Sequence, residues 1–198
     1  MKAHLISVII PCFNAARYLP LTIDSALEQS YEPIEVIVID DGSTDETPGI
    51  MASYEGRIRG IRKEHEGVSA ARNLGMMLSN GDWIAFLDAD DRWAPRKLER
   101  VMTIAKENPE IALFSHDAWV TDEKDAVVGM YRFKPALGKG AAQELLKGNW
   151  VITSTVVLRA DAARETGRFR EDLLRTAGCE DWDYWLRVAR KYRIEHIP

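Results

Sequence analysis

Three carboxylates, Asp88, Asp90 and Asp91, follow directly on the apolar run Ile84-Ala85-Phe86-Leu87. Alternate side chains of an extended strand share a face, so a strand continued through this run puts Asp88 and Asp90 on one side and Asp91 on the other. Two carboxylates at a buried strand end repel, and one proton or one cation relieves them. An oxygen-only pair suits Mg²⁺ or Mn²⁺, ions that keep several waters and take the oxygens of a substrate phosphate. The run therefore reads in two ways. It is a clamp for a metal and a diphosphate, or it is a solvated acidic turn that stops a strand, with Asp91 helping to start a helix at Pro95.

A second group of acids lies in Cys179-Glu180-Asp181-Trp182-Asp183-Tyr184-Trp185-Leu186. Helical spacing puts Trp182, Trp185, Leu186 and Ala189 on one face and the acids in the first turn. Acids there are stabilised by free amide donors and the helix macrodipole alone. Two indoles beside them would also exclude water and raise a carboxylate's proton affinity, which suits a general base acting on an alcohol. Other chemistries fit less well. Gly67-Val68-Ser69-Ala70-Ala71 lacks the second glycine of a nucleophile elbow. Phosphoryl transfer to Asp88 wants Thr or Val where Arg92 stands, and a receiver-like domain wants its acids after the first strand, whereas Asp40-Asp41 closes the second. A thiol enzyme built on Cys12 or Cys179 would need a histidine brought close by the fold.

The elements that must carry these residues follow from periodicity. A β-branched run at 5–10 reads as a strand buried on both faces and ending at Pro11. A helix at 16–29 and a strand at 34–39 lead into Asp40-Asp41-Gly42-Ser43-Thr44-Asp45. Ser43 with Glu46 fits a capping box, and Thr47 with Pro48 fits an alternative helix start. A strand at 57–62, a helix at 67–79, a strand at 82–87 and a helix from 95 to about 107 complete a strand-helix alternation. That order implies a parallel sheet with right-handed crossovers, whose ligands bind outside the carboxyl ends of the strands. Residues 11–14, 40–45 and 88–91 all fall there. The second half reads as a less regular stretch at 111–121, a turn at 122–125, a returning strand at 126–133, a flexible joint at 138–140, a strand at 152–159 and a helix at 180–192. The near match of 138–143 to a nucleotide loop ends in Gln143 and is discarded.

With 198 residues, 46% hydrophobic and 29% charged, the chain has room for one sizeable core and no disorder signature. A net charge of −5 argues against a nucleic-acid partner. The apolar stretches are strand-sized, well short of the ~20 residues of a transmembrane segment, and the N-terminus lacks a signal-peptide pattern. Two cysteines suit a reducing compartment, so a cytoplasmic location is expected.

Read jointly, these blocks resemble the family 2 inverting glycosyltransferases, nucleotide-diphospho-sugar transferases of the GT-A fold. Ser7-Val8-Ile9-Ile10-Pro11-Cys12-Phe13-Asn14 resembles the opening strand and nucleotide loop, and Val38-Ile39-Asp40-Asp41-Gly42-Ser43-Thr44-Asp45 the second block. Gly67-Val68-Ser69-Ala70-Ala71-Arg72-Asn73 with Leu87-Asp88-Ala89-Asp90-Asp91 resembles the third block and the metal motif, and Glu180-Asp181 the acidic pair near the acceptor. The resemblance implies one α/β GT-A domain over 1–198, a Rossmann-like and mostly parallel sheet with helices on both faces. A nucleotide-sugar half would span 1–108 and a smaller acceptor-side half, truncated at its C-terminus, 109–198.

By the same resemblance, Asp41 would hydrogen-bond the base, Pro11 and Phe13 would line its pocket, and Arg72 would lie beside it. Asp88 would sit near the ribose and metal with Ala89 next to it, Asp90 would ligate Mn²⁺ or Mg²⁺, and Asp181 would be the catalytic base. The donor would be a nucleoside-diphosphate sugar and the acceptor a glycan, a lipid-linked glycan or a protein. A lipid-linked acceptor would put the protein at the inner membrane face. His65 departs from the asparagine frequent at its place, the chain stops soon after its last helix, and no Q-x-x-R-W run of a processive synthase is present. A non-catalytic nucleotide-sugar binding module is the alternative.

Overall fold

The computed structural model describes residues 3–124, 126–132, 140–172 and 178–198. In the first half strands and helices alternate: β1 (Ile6–Cys12), α1 (Leu19–Leu27), β2 (Ile34–Asp40), α2 (Thr47–Ser53), β3 (Arg59–Arg62), α3 (Val68–Leu78), β4 (Trp83–Phe86) and α4 (Lys97–Glu107). The four strands run parallel in the order β3-β2-β1-β4. The second half adds β5 (Ile111–His116), a hairpin of β6 (Ala118–Thr121) and β7 (Val127–Tyr131), α5 (Ala141–Leu145), a 3-10 turn at Thr153–Thr155, β8 (Val157–Arg159), α6 (Ala160–Thr166), α7 (Glu180–Lys191) and β9 (Arg193–Ile197). β8 enters the sheet antiparallel between β4 and β5, and β9 closes the far edge parallel to β5. The result is a seven-stranded, mainly parallel sheet.

Strand alternation divides the core between the two faces of the sheet. Ile6, Val8 and Ile10 of β1 join Leu19 and Ile23 of α1 and Leu98, Val101 and Met102 of α4 on one face. Ile9, Ile84 and Phe86 meet Tyr184, Trp185 and Val188 of α7 and the alanines of α6 on the other. Every residue of β1 is buried, which is why its sequence is apolar without alternation. α3 crosses β1 closely enough that a Cβ on Gly75 would lie 2.4 Å from Ile9 Cγ2.

Several elements differ from the sequence reading. β1 continues through Pro11 because the ladder to β4 stops at the Ile9–Phe86 pair, so the missing N–H costs no bond on that side. α2 begins at Thr47 with Pro48 in its first turn, and Ser43 makes no capping box; its hydroxyl accepts the N–H of Asn14 at 2.8 Å. The 152–159 strand is only Val157–Arg159, because the chain first makes the 3-10 turn. On α7 the buried face is Tyr184-Trp185-Val188 rather than Trp182-Trp185-Leu186-Ala189. α6 and β9 have no counterpart in the sequence reading. Of the joint at 138–140, residues 138 and 139 lie outside the described residues, as do Asp125 in the 122–125 turn and residue 133 at the end of the returning strand.

Candidate functional site

The carboxyl end of β2 delivers Asp40 and Asp41, both buried, into a turn at Gly42. Gly42 has φ +82°, and a Cβ there would lie 2.9 Å from the His65 nitrogen, so this turn requires glycine. Three donors hold the Asp41 carboxylate. Lys63 Nζ at 2.8 Å and the Glu66 N–H at 3.1 Å reach Oδ1, while the Gly67 N–H at 2.7 Å reaches Oδ2. Burial alone would raise its pKa, but the bonds from Lys63, Glu66 and Gly67 outweigh it and hold the group below the ordinary carboxylate range. His65 lies beside the group, its Nδ1 3.1 Å from the Asp41 carbonyl and 2.8 Å from Oδ2, with 57% of its side chain accessible.

Asp41 lies in the wall of a cavity of about 240 Å³ lined also by Pro11, Phe13, His65, Val68 and Ala71. Phe13 is 46% exposed and stacks on the His65 imidazole with ring centroids 4.2 Å apart. Pro11, Phe13 and Asp41 are thus brought to one cavity, as the sequence reading grouped them. Cys12 lines the same cavity, but its thiol donates to the Ile39 carbonyl, and burial, then Asp40, Asp45 and Asp41, push its pKa up to about 12. Its surroundings thus work against a thiolate nucleophile there.

The acidic run after β4 does not continue the strand, so the alternation placing Asp88 and Asp90 on one face and Asp91 on the other does not apply. The strand ends at Phe86, and the Asp91 N–H bonds the Asp88 carbonyl at 3.0 Å, closing a turn. The buried Thr22 hydroxyl of α1 lies 2.8 Å from the Ala89 carbonyl and 2.9 Å from that of Asp91, which holds the turn against α1. Asp90 is exposed, Asp88 partly buried. Asp91 is drawn inward, where burial, with Asp88 and Asp90 adding, raises its pKa against a bond from Ser154.

Arg72 is a buried residue of α3, not a surface charge. Its guanidinium donates through Nη2 to Asp88 Oδ1 at 2.8 Å and through Nη1 to Glu180 Oε1 at 3.0 Å, and lies 5.6 Å from the Phe169 ring centroid. Burial would lower its pKa, but Asp88, Glu180 and Asp181 together raise it. α3 therefore lines the cavity with Val68 and Ala71 and, one residue on, ties the acidic turn to the start of α7. Arg72 lies between Asp88 and Glu180.

Asp181 follows Glu180 in the first turn of α7. Its Oδ2 accepts from Asn149 Nδ2 at 3.0 Å and Thr153 Oγ1 at 3.3 Å. The indole shield expected around it is half formed. Trp182 is partly buried with its N–H on the Leu145 carbonyl at 2.6 Å, but Trp185 is fully buried in the core against Phe86 and Phe169. Thr153 and Ser154 were hidden within the stretch read as strand, and Asn149 carried no motif.

Asp88 and Asp90 suit a Mg²⁺ or Mn²⁺ ion by donor chemistry: two carboxylates on one turn, one of them exposed. Among the described residues no group of three or more His, Cys, Asp and Glu could hold an ion, so the remaining ligands would come from a donor diphosphate and water.

A family model described as Glycosyl transferase family 2 matches residues 7–165. An uncharacterized glycosyltransferase of Rickettsia felis is 32% identical over 94% of this chain and 31% of its own length. The Escherichia coli UDP-Glc:alpha-D-GlcNAc-diphosphoundecaprenol beta-1,3-glucosyltransferase WfaP is 30% identical over 95% of this chain and 71% of its own. The chain thus spans from about a third to under three quarters of these relatives. The structure of S. aureus TarS 1-349 in complex with UDP superposes with a TM-score of 0.79 at 22% identity, covering all of this chain and 58% of that one. The mannosyltransferase PcManGT from Pyrobaculum calidifontis, in complex with GDP-Man and Mn²⁺, gives 0.72 at 20% identity, covering all of this chain and 56% of that one. These likenesses establish the fold, that of the GT-A glycosyltransferases.

Proposed function

The chain belongs to glycosyltransferase family 2, and from that premise we propose that it transfers a hexose from a nucleoside-diphosphate sugar to an acceptor hydroxyl with inversion, Asp181 acting as general base. The observation that carries this reading is the Asp88–Arg72–Glu180 bridge. One buried guanidinium joins the acidic turn on the donor side to the first turn of the helix that bears Asp181. Pro11, Phe13 and Asp41 would hold the base, Asp88 and Ala89 the ribose and diphosphate end, and Asp88 with Asp90 the Mn²⁺ or Mg²⁺ ion. A bound ion supplies positive charge to the departing diphosphate, an effect larger in the transition state than in the ground state.

The chain's own residues then do three things. The cavity at Asp41 fixes the nucleotide and so the direction in which the diphosphate leaves. Arg72 pairs with both Asp88 and Glu180 and so holds the acidic turn against the start of α7. Asp181 takes the acceptor's proton as its oxygen attacks the anomeric carbon from the face opposite the diphosphate; the bond to the diphosphate breaks and configuration inverts. The Escherichia coli relative's name gives a UDP-glucose donor and a sugar acceptor on a lipid diphosphate, and from it we extend to this chain a lipid-linked glycan acceptor and a place in polysaccharide biosynthesis. Such an acceptor would draw the protein to a membrane surface; among the described residues no helix is long and apolar enough to cross one.

A thermal-shift panel of UDP, GDP and their sugars with and without Mn²⁺ identifies the donor, since a bound ligand stabilises by mass action. Asp181→Asn should then leave nucleotide affinity nearly intact while turnover falls about 10²- to 10⁴-fold. Equal losses in both would remove Asp181 from the base role. Stabilisation by a sugar nucleotide with neither transfer nor hydrolysis would favour the binding-module reading.

A further inference from the structure

The two oxygens of Asp181 are not equivalent, and the difference selects the atom that takes the proton; this rests on the reading of Asp181 as base. A carboxylate oxygen offers two in-plane lone pairs. Oδ2 receives both Asn149 Nδ2 and Thr153 Oγ1, whereas among the described residues Oδ1 receives only the Trp182 N–H, at 2.6 Å. The Asn149 amide is oriented by its own Oδ1, which accepts the Val151 N–H at 3.3 Å and so turns Nδ2 toward Asp181.

Thr153 is itself held. It is 4% exposed, in the 3-10 turn next to Ser154. The Ser154 hydroxyl accepts the Asp88 N–H at 3.0 Å, and the Ser154 carbonyl accepts Trp93 Nε1 at 2.7 Å and Lys97 Nζ at 3.0 Å. The same short turn therefore grips the acidic run with one residue and Asp181 with its neighbour.

We infer that Asn149 and Thr153 are positioning residues for the transfer: they fill Oδ2 of Asp181 so that Oδ1 takes the acceptor's proton, and the Thr153–Ser154 turn keeps that oxygen in register with the Asp88 end of the site. The acceptor O–H bond breaks with its proton going to Oδ1, the new bond to the anomeric carbon forms, and the diphosphate leaves with the bonding pair. Losing either donor frees the carboxylate to rotate away from the acceptor.

The test compares wild type, Asn149→Ala, Thr153→Ala, Thr153→Ser and Asp181→Asn. Affinity for UDP and GDP is measured by calorimetry with Mn²⁺, and turnover as nucleotide release from UDP-glucose, UDP-N-acetylglucosamine and GDP-mannose. The two alanine variants should keep nucleotide affinity and lose about 10- to 100-fold in turnover, with Thr153→Ser restoring turnover. Wild-type turnover in the alanine variants, or a loss of nucleotide affinity as large as the loss of turnover, overturns the inference. If Asp181→Asn is inactive in that case, the base assignment survives; if it turns over normally, the assignment falls and takes this inference with it.

Discussion

Asp41 is buried yet held ionised by three donors, Lys63 and the Glu66 and Gly67 N–H groups, so its charge is linked to folding stability. Its folded pKa lies below the unfolded value, so its contribution is fully present above about pH 4 and is lost as pH falls through the unfolded and then the folded value. Denaturant unfolding between pH 3 and 6 should show wild type losing stability toward the acid end and Asp41→Asn losing less over the same window; parallel slopes would contradict the assignment. Asp90 makes the opposite case. It is exposed on the turn, so Asp90→Ala should change stability by no more than about 0.5 kcal/mol. Calorimetry with UDP should show that the variant has lost the affinity gained on adding Mn²⁺, and an undiminished gain would place the ion elsewhere. Asp41, Asp88 and Asp181 were legible because each sits where an apolar run stops or a helix starts. Arg72 was legible as a candidate but not as a bridge, because Glu180 lies 108 residues away and no periodicity connects the two.

α3 is the element on which the two sides of the site depend. Gly75 lets it lie against β1, Val68 and Ala71 line the cavity at Asp41, and Arg72 reaches both carboxylates. A lysine cannot span two carboxylates as a planar fork does, so Arg72→Lys should release one of them. Breaking the bridge should cost on the order of 3 kcal/mol, the low end for a buried pair because Asp88 stays about a third exposed. Unfolding midpoints check the cost, and turnover should fall with it; unchanged stability and turnover would mean that the bridge holds nothing. The alternating strands and helices of residues 6–107 were readable because buried parallel strands are apolar runs and their helices carry one apolar stripe. The Thr153–Thr155 turn was not, since a β-branched run such as Thr153-Ser154-Thr155-Val156-Val157 has the composition of a strand whichever backbone it adopts. β9 was missed for a related reason: Arg193, Glu195 and His196 dilute its apolar positions at the sheet edge.

Across the whole molecule, the antiparallel entry of β8 between β4 and β5 brings the 3-10 turn beside the end of β4, so chain segments far apart in sequence close around the acidic turn. The α/β class and the mostly parallel sheet follow from alternation of elements, but the strand that reverses direction depends on contacts between the halves, which local pattern does not encode. The chain spans only part of the length of its relatives, and the acceptor-side proposals concern that shared part. The central claim is that one divalent ion, held at Asp88 and Asp90 with the donor's diphosphate, faces Asp181 across the site. Anomalous diffraction from crystals soaked with Mn²⁺ and UDP tests it most directly. The account predicts a manganese peak at the Asp88–Asp90 turn touching the diphosphate, with uracil in the cavity of Pro11, Phe13 and Asp41. A peak elsewhere, or nucleotide bound there without the ion, would contradict it.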